Sequence, residues 1–168
     1  MYARPFIDSL DFARNGQSIR GELPVAELSR LQDLLETRQG ALSYSVRGGV
    51  DNQGSRYLDV NVTGSCLLRC QRCLEALDYQ VGIVTRLLLR DQPTLEALEL
   101  DAAVVEEEFD SILADPHLDV LNLLEDEVLL SLPIAPKHEP GACQAAGGGN
   151  RQQEERNPFA VLEKLKRH

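Results

Sequence analysis

The sequence predicts an α+β fold, with an antiparallel sheet that can take a barrel-like form, two flanking helices and a flexible C-terminal extension. Apolar and polar residues alternate at 42–47 and at 58–63, on either side of a turn-forming DNQG stretch, which predicts a β-hairpin. Leucines and valines at helical spacing precede and follow the strand region. The chain from 139 to 156 is rich in Gly, Ala, Gln and Glu, a composition typical of a linker.

The first predicted helix covers residues 23–38. Pro24 suits a first helical position and Gly40 can end the helix. Leucines at 28, 31, 34 and 35 fall on one side of such a helix, and we expect this stripe to face the core.

Three strands are predicted after this helix. In the hairpin, about three residues of each strand point to the buried face, and they are Leu42, Tyr44, Val46, Leu58, Val60 and Val62. A third strand is predicted at 79–90, where the run VTRLLL suits deeper burial. The CQRC stretch lies between the second and third strands, so a tight turn is expected to present Cys70 and Cys73 together.

The second predicted helix lies in an acidic part of the chain. Asp119 is its expected N-cap, and the helix must end near Leu132 because Pro133 cannot continue it. Its acidic residues, Glu125 among them, are expected near the outer surface. A short strand, AVVEEEF, is predicted before it at 102–109.

We expect one α+β domain at 1–138, a flexible linker at 139–156 and a short helix at 157–168. Asn157 is the predicted cap of this last helix and Pro158 its first residue, and Phe159 shares one face with two leucines. A capped amphipathic segment after a linker is suited to docking, on its own domain or on another molecule.

Charge and motifs limit the possible functions. The net charge is −10, and residues 91–127 contain 13 acidic residues but no Lys or Arg. This charge distribution excludes a nucleic-acid-binding surface that is basic over the whole protein. This segment is either a solvated face or a binding surface for a basic protein. The sequence has no long apolar run, signal-peptide pattern, phosphate loop or nucleophile–base pair, so we expect a cytoplasmic, non-enzymatic protein without a membrane or small-molecule partner.

The cysteines are the best candidates for chemistry. Cys70 and Cys73 have the C-x-x-C spacing with which two thiolates reach one metal ion from a single turn. His138 and Cys143, on an irregular proline-rich stretch, are the best candidates for the other two ligands of a closed zinc site. Cys66 is a competing thiol that a continuing strand would bury. Inert reduced thiols and dithiol redox chemistry at Cys70 and Cys73 are the alternatives.

Four segments, in order, resemble the YceD family, the large ribosomal RNA subunit accumulation proteins of bacteria and plastids. They are RCQRCLEALDYQV, LLEDEVLLSLPIAPKH, the cysteine that follows, and NPFAVLEKLK. The resemblance implies a non-catalytic factor needed for accumulation of large-subunit ribosomal RNA and for large-subunit assembly. The family's thiol pair corresponds to Cys70 and Cys73, its downstream His and Cys to His138 and Cys143, and its C-terminal motif to Asn157, Pro158 and Phe159.

This resemblance suggests partners for the charged regions. A basic large-subunit ribosomal protein suits the acidic segment, because opposite charges attract at long range. Direct contact with precursor large-subunit rRNA would use arginines beside the C-x-x-C turn or cations of the tail as phosphate-binding points. These residues are Arg69, Arg72, Lys164, Lys166 and Arg167.

Overall fold

The structure, a computed structural model, describes residues 4–100 and 109–143. Its elements in chain order are β1 (Phe6–Ile7), α1 (Ser9–Arg14), β2 (Ser18–Pro24), β3 (Ala41–Val50), β4 (Arg56–Arg69), β5 (Ala76–Arg90), α2 (Gln92–Leu100), β6 (Asp110–Leu113), β7 (Leu118–Asp119) and α3 (Val120–Ser131).

A five-stranded sheet in the order β2-β3-β4-β5-β6 forms the frame of the fold. Its first four strands are antiparallel, and β6 joins β5 in parallel. The sheet does not close, since β2 and β6 remain its two edges, so the α+β class is confirmed and the sheet is open rather than a barrel. β1 and β7 form a separate antiparallel pair.

The predicted hairpin and third strand are confirmed. β3 and β4 pair across a turn in which the side chain of Asp51 accepts hydrogen bonds from the backbone of Gln53 and Ser55, both at 2.8 Å. Every residue predicted for the buried face of this hairpin is buried. β5 begins three residues earlier than predicted, at Ala76.

One face of the sheet carries the core. α1 lies against it so closely that a Cβ atom at Gly48 would lie 2.6 Å from the backbone of Phe12 and Ala13. α3 packs on the same core through Val120, Leu124 and Val128. The opposite face of β3, β4 and β5 bears polar side chains and the exposed Val84.

The predicted helix at 23–38 is wrong. Leu23 belongs to β2 and pairs with Leu42, and the chain then forms two short 3₁₀ turns, Val25–Glu27 and Ser29–Leu31. Leu35 ends the segment in an isolated bridge with Leu68. The leucine spacing correctly predicted burial of positions 28, 31 and 35, but sheet pairing at both ends of the segment determines its backbone.

The second predicted helix is confirmed as α3. Asp119 caps it by accepting hydrogen bonds from the backbone of Leu121 and Asn122, and Leu132 is its C-cap. The expected outer position of Glu125 is wrong, because its side chain is only 3% exposed. The carboxylate accepts hydrogen bonds from the backbone N–H and the Nε of Arg30, at 2.6 and 3.1 Å, which ties the 3₁₀ segment to α3.

Several predicted elements lie outside the described residues: nearly all of the strand at 102–109, most of the linker at 139–156, and the C-terminal helix at 157–168. α1 and α2 are helices that the sequence analysis did not predict. Across residues 4–100 and 109–143, no helix is both long and apolar enough to cross a bilayer.

Candidate metal centre

The turn between β4 and β5 places two cysteines side by side. Residues 70–75 form a compact knuckle, which is closed by hydrogen bonds from the Cys70 N–H to the Glu75 carbonyl and from the Leu74 N–H to the Cys70 carbonyl, each 2.9 Å long. Leu74 takes the left-handed conformation, with φ of 64°, that this turn requires directly after Cys73. Both cysteine side chains are buried.

The chain after α3 returns to this knuckle and supplies two further side chains. The Gln71 N–H donates to the Pro136 carbonyl at 2.9 Å, which fixes the returning segment beside the turn. The segment then makes its own turn, in which the Ala142 N–H donates to the Glu139 carbonyl. This path brings His138 and Cys143 over the knuckle, as the sequence predicts.

The ligand atoms of Cys70, Cys73, His138 and Cys143 all lie within 4.8 Å of one another. The Sγ atoms of Cys70 and Cys143 are 3.7 Å apart, and the His138 Nδ1 lies 3.4 Å from the Cys73 Sγ and 3.6 Å from the Cys143 Sγ. A tetrahedral zinc ion with ordinary bond lengths would set sulfurs about 3.8 Å apart and sulfur and nitrogen about 3.5 Å apart. These three separations match a closed zinc site, and all four groups lie close enough together to reach one ion.

The orientation of the His138 ring also suits metal binding. Its Nε2 lies 3.0 Å from the carbonyl oxygen of Ala76. Because a carbonyl only accepts hydrogen bonds, Nε2 carries the proton, and Nδ1 of the neutral ring presents its lone pair to the sulfurs. A backbone carbonyl behind the ring is the usual partner that fixes a metal-binding histidine.

The knuckle favours a thiolate at Cys70. Burial opposes ionisation, but hydrogen bonds from the backbone of Cys73, Arg72 and His138 outweigh it and lower the pKa of Cys70 to about 5. One of these donors is the Arg72 N–H, 3.5 Å from the sulfur. Thiolate is the form in which cysteine binds metal and also the form that reacts with disulfides.

Arg72 supports the second thiolate. Its Nε donates to the Cys143 Sγ at 2.9 Å. Its Nη2 donates to the backbone carbonyls of His138 and Glu139, at 3.2 and 3.3 Å. Burial raises the pKa of Cys143, but the hydrogen bond from Arg72 and, when the His138 ring is protonated, one from its Nδ1 outweigh burial, so the net shift is downward. One arginine therefore stabilises a ligand and holds the backbone that carries two ligands.

The pKa values of the remaining two groups, Cys73 and His138, are both raised. The backbone at Glu75 favours ionised Cys73, but burial and the neighbouring sulfurs of Cys70 and Cys143 outweigh it and raise the pKa of Cys73. Hydrogen bonds to Cys143 and Cys70 raise the pKa of His138. A divalent cation would relieve both effects by neutralising the clustered thiolates.

The other predicted binding residues, and the competing thiol Cys66, lie in three different settings. Arg69 forms an ion pair with Glu36, with 2.8 Å between its Nε and the carboxylate, so both arginines beside the knuckle already have partners. Cys66 is buried in the hydrophobic core, where burial raises its pKa. The predicted tail residues, Asn157, Pro158, Phe159, Lys164, Lys166 and Arg167, lie outside the described residues.

Sequence reasoning missed two contributors to this centre. It interpreted Arg72 as a phosphate-binding point, whereas the structure directs this side chain to Cys143 and to two backbone carbonyls. It did not find the Ala76 carbonyl behind His138. The position of Arg72 inside the C-x-x-C pair was the available signal, but spacing alone does not show where a side chain in a turn points.

Comparison with known families finds one match that spans this cluster and its flanking segments. The model of the large ribosomal RNA subunit accumulation protein YceD matches residues 58–166. The chain belongs to the YceD family. The match begins in β4 and contains all four clustered side chains, so the candidate metal centre lies within the part of the chain that the YceD model covers. The family is named for ribosomal RNA accumulation rather than for a reaction, and no solved structure matches the chain.

Proposed function

We propose that this protein is a non-enzymatic, cytoplasmic factor for large ribosomal subunit assembly. It acts by binding precursor large-subunit rRNA, a basic large-subunit ribosomal protein, or both. The observation that carries this proposal is the YceD match, which spans residues 58–166 and names large-subunit rRNA accumulation. Arginine-bearing surfaces and an acidic segment in one chain suit a factor that contacts both components.

Zinc is the proposed ion of the metal centre. Three thiolates and one imidazole are a ligand set that zinc prefers, and four protein ligands leave no open position for a substrate. The ion would therefore be structural: it would hold the segment after α3 against the β4–β5 knuckle. Support comes from the ligand spacing and from the His138 tautomer.

Affinity purification from growing cells that express the tagged full chain tests the assembly function. We expect large-subunit proteins or precursor large-subunit rRNA in the eluate, and a deletion strain with a lowered ratio of large-subunit to small-subunit rRNA. Recovery of neither component, together with a normal rRNA ratio in the deletion strain, would rule out the proposed function.

Metal analysis of the purified full chain tests the zinc site. We expect one zinc per chain in the wild type and none after the double change Cys70→Ser and Cys73→Ser. Cys66→Ala is the matched control, because it removes a buried thiol that lies outside the cluster and should retain the zinc. A wild-type protein that remains metal-free after incubation with zinc would contradict the site.

A second candidate function is dithiol redox chemistry at Cys70 and Cys73. The pKa of about 5 at Cys70 favours it, since a low-pKa thiol is the attacking group in such proteins. Against it, no helix among the described elements has its N-terminus at this thiol in the hairpin turn. Mass spectrometry of the chain in thiol–disulfide buffers discriminates the two. A reversible Cys70–Cys73 disulfide in the zinc-loaded protein would favour the redox function.

A further inference from the structure

Within residues 4–100 and 109–143, no element packs on the side of β3, β4 and β5 that faces away from the core. Val84 on β5 is 83% exposed, and a Cβ atom placed on the neighbouring Gly82 would meet nothing within 4 Å. An open cleft of about 490 Å³ lies beside Val84, between Arg47 on β3, Asn61 on β4 and Phe109 at the sheet edge. We call this surface the outer face.

Two arginines of the outer face are exposed, and the register places Asp59 opposite one of them, Arg47. Arg20 and Arg47 are exposed on neighbouring strands, and the register pairs Arg20 with Ser45 and Ser18 with Arg47. The two arginines are therefore diagonal neighbours on adjacent strands, with about 7–8 Å between their Cα atoms. Across the part of the chain that the structure describes, no ion pair engages either of them.

A third arginine on this face is held rigidly against an aromatic ring. Arg86 forms two hydrogen bonds with the carboxylate of Asp59, at 2.7 and 3.0 Å, and its guanidinium lies 3.8 Å from the centre of the Tyr57 ring. The Tyr57 ring in turn covers Gly49, where any Cβ atom would lie 2.4 Å from it. Glycine at 49 thus allows the stack to lie flat on the sheet.

Phe109 extends this stack at the edge of the sheet. Its ring centre lies 5.7 Å from the Arg86 guanidinium, and the side chain remains 38% exposed. Guanidinium planes and aromatic rings are the surfaces on which unpaired bases stack, while amides and hydroxyls such as those of Asn61 and Ser45 bond base edges. Exposed cations next to stacking surfaces match the alternating phosphates and bases of a single strand.

We propose that the outer face binds single-stranded RNA, with Arg20 and Arg47 on phosphates and Phe109 and the Arg86 guanidinium stacking on bases. This inference rests on the proposed function and assigns its RNA contact to a surface. It replaces the contact expected at Arg69 and Arg72, since those two side chains already engage Glu36 and Cys143.

Fluorescence anisotropy with a labelled, mixed-sequence oligoribonucleotide of about 12 nucleotides tests the proposal on the zinc-loaded full chain. The double change Arg20→Glu and Arg47→Glu should weaken binding at least tenfold. It should also reduce the slope of log affinity against log salt by about 1.4, since each lost phosphate contact contributes about 0.7. Each single change, Arg20→Glu or Arg47→Glu, is compared with Arg14→Glu in α1, which packs on the core side of the sheet, alters the net charge equally and should change affinity less than about twofold.

Phe109→Ala separates stacking from charge. It should weaken binding roughly tenfold while leaving the salt slope unchanged, because stacking on one base involves no phosphate. Melting curves of every variant show whether each remains folded. Photo-crosslinking of the same oligonucleotide gives a readout that does not depend on substitution, and the crosslinks should map to peptides that contain Tyr57 or Phe109.

Three results would overturn the inference: no binding of the oligonucleotide, equal binding by wild type and outer-face variants, or crosslinks confined to residues 144–168. Tighter binding of an acidic peptide than of RNA would also overturn it and would assign the outer face to a protein. If the outer-face variants still recover large-subunit precursors from cells as the wild type does, this inference fails and the proposed function stands. If the wild type recovers none and the deletion strain has a normal rRNA ratio, the proposed function itself fails.

Discussion

The Nε of Arg72 donates a hydrogen bond to the Sγ of Cys143 across 2.9 Å. Cys143 follows Arg72 by 71 residues in the chain, and Arg72 also donates to the two carbonyls at 138 and 139. The arginine between the two cysteines of the knuckle is therefore a positioning residue for the other half of the cluster. With the ion bound, its positive charge would balance the net negative charge of three thiolates around Zn²⁺.

Arg72→Gln should lower zinc affinity by about 10- to 100-fold, the range found when groups that orient metal ligands are removed. Competition with a chromophoric chelator measures this change. Arg38→Gln, at an exposed loop arginine, is the matched control and should leave the affinity unchanged. Equal affinities in the two variants would show that Arg72 does not position Cys143.

The two faces of the sheet should respond oppositely to the same substitution. Gly48→Ala should destabilise the fold by about 1–3 kcal/mol, because the added methyl group meets the backbone of α1. Gly82→Ala should be neutral or stabilise the fold by up to about 1 kcal/mol, since it adds a methyl group in open space and restricts the unfolded chain. Urea unfolding monitored by circular dichroism measures both. Equal losses would contradict the assignment of packed and open faces.

The ion pairs between Arg30 and α3 should stabilise the fold mainly through the buried partner, Glu125. Arg30→Met should cost about 1–3 kcal/mol, because Glu125 would keep its backbone hydrogen bond but lose its only charged partner among the described residues. Asp126→Asn removes the exposed partner of the same arginine and should cost less than about 1 kcal/mol. Urea unfolding midpoints measure both stability losses. A larger loss for Asp126→Asn would show that the exposed partner contributes more than the buried one.

Glu127 should make stability depend on pH. Burial, followed by the charges of Asp110 and Asp126, raises the pKa of this carboxyl above its ordinary value of 4.5. The folded state therefore holds the proton more tightly than the unfolded chain. The contribution of Glu127 to stability is largest below pH 4.5 and is lost as the pH rises through the folded-state pKa.

Glu127→Gln removes this dependence, so its melting temperature should exceed that of the wild type at pH 7 and the difference should shrink towards pH 4. Thermal scans across this range measure it. Asp33→Asn, at an exposed carboxylate, is the control for the loss of one negative charge. A constant difference at every pH would contradict the role of Glu127.

The C-terminal segment remains a prediction of the sequence. If residues 157–168 form a docking element, their deletion should leave the melting curve nearly unchanged and abolish recovery of large-subunit precursors from cells. A large drop in melting temperature would show instead that this segment packs on its own domain. Replacing Phe159 by Ala in the full chain gives a milder version of the same test.

The sequence correctly predicted those elements whose residue pattern is compatible with only one backbone conformation. Alternation along β3 and β4 identifies a strand with one buried face, and Asp119 with Pro133 delimits α3 from both ends. The leucines from 28 to 35 have a spacing that both a helix and successive 3₁₀ turns can bury, so their pattern predicted burial but not backbone.

The same contrast holds for the functional sites: residue types and local spacing were readable from the sequence, whereas contacts across strands were not. Ligand types and the C-x-x-C spacing were enough to propose the four ligands, because the chain has only three other Cys or His residues, Cys66, His117 and His168. The stack of Arg86 on Tyr57 and its bonds to Asp59 depend on how β4 and β5 are aligned. A single sequence does not encode that register in any local pattern, so these residues could not be proposed in advance.

The metal centre joins parts of the chain that are distant in sequence, since His138 follows Cys73 by 65 residues. With zinc bound as proposed, it acts as a reversible cross-link whose strength depends on supply. Once the site is saturated, each tenfold change in free zinc alters the free energy of unfolding by about 1.4 kcal/mol. Zinc shortage would first release the segment that follows α3, together with everything attached beyond Cys143. In this way the abundance of one trace element would govern how firmly the end of the chain is tethered to the sheet.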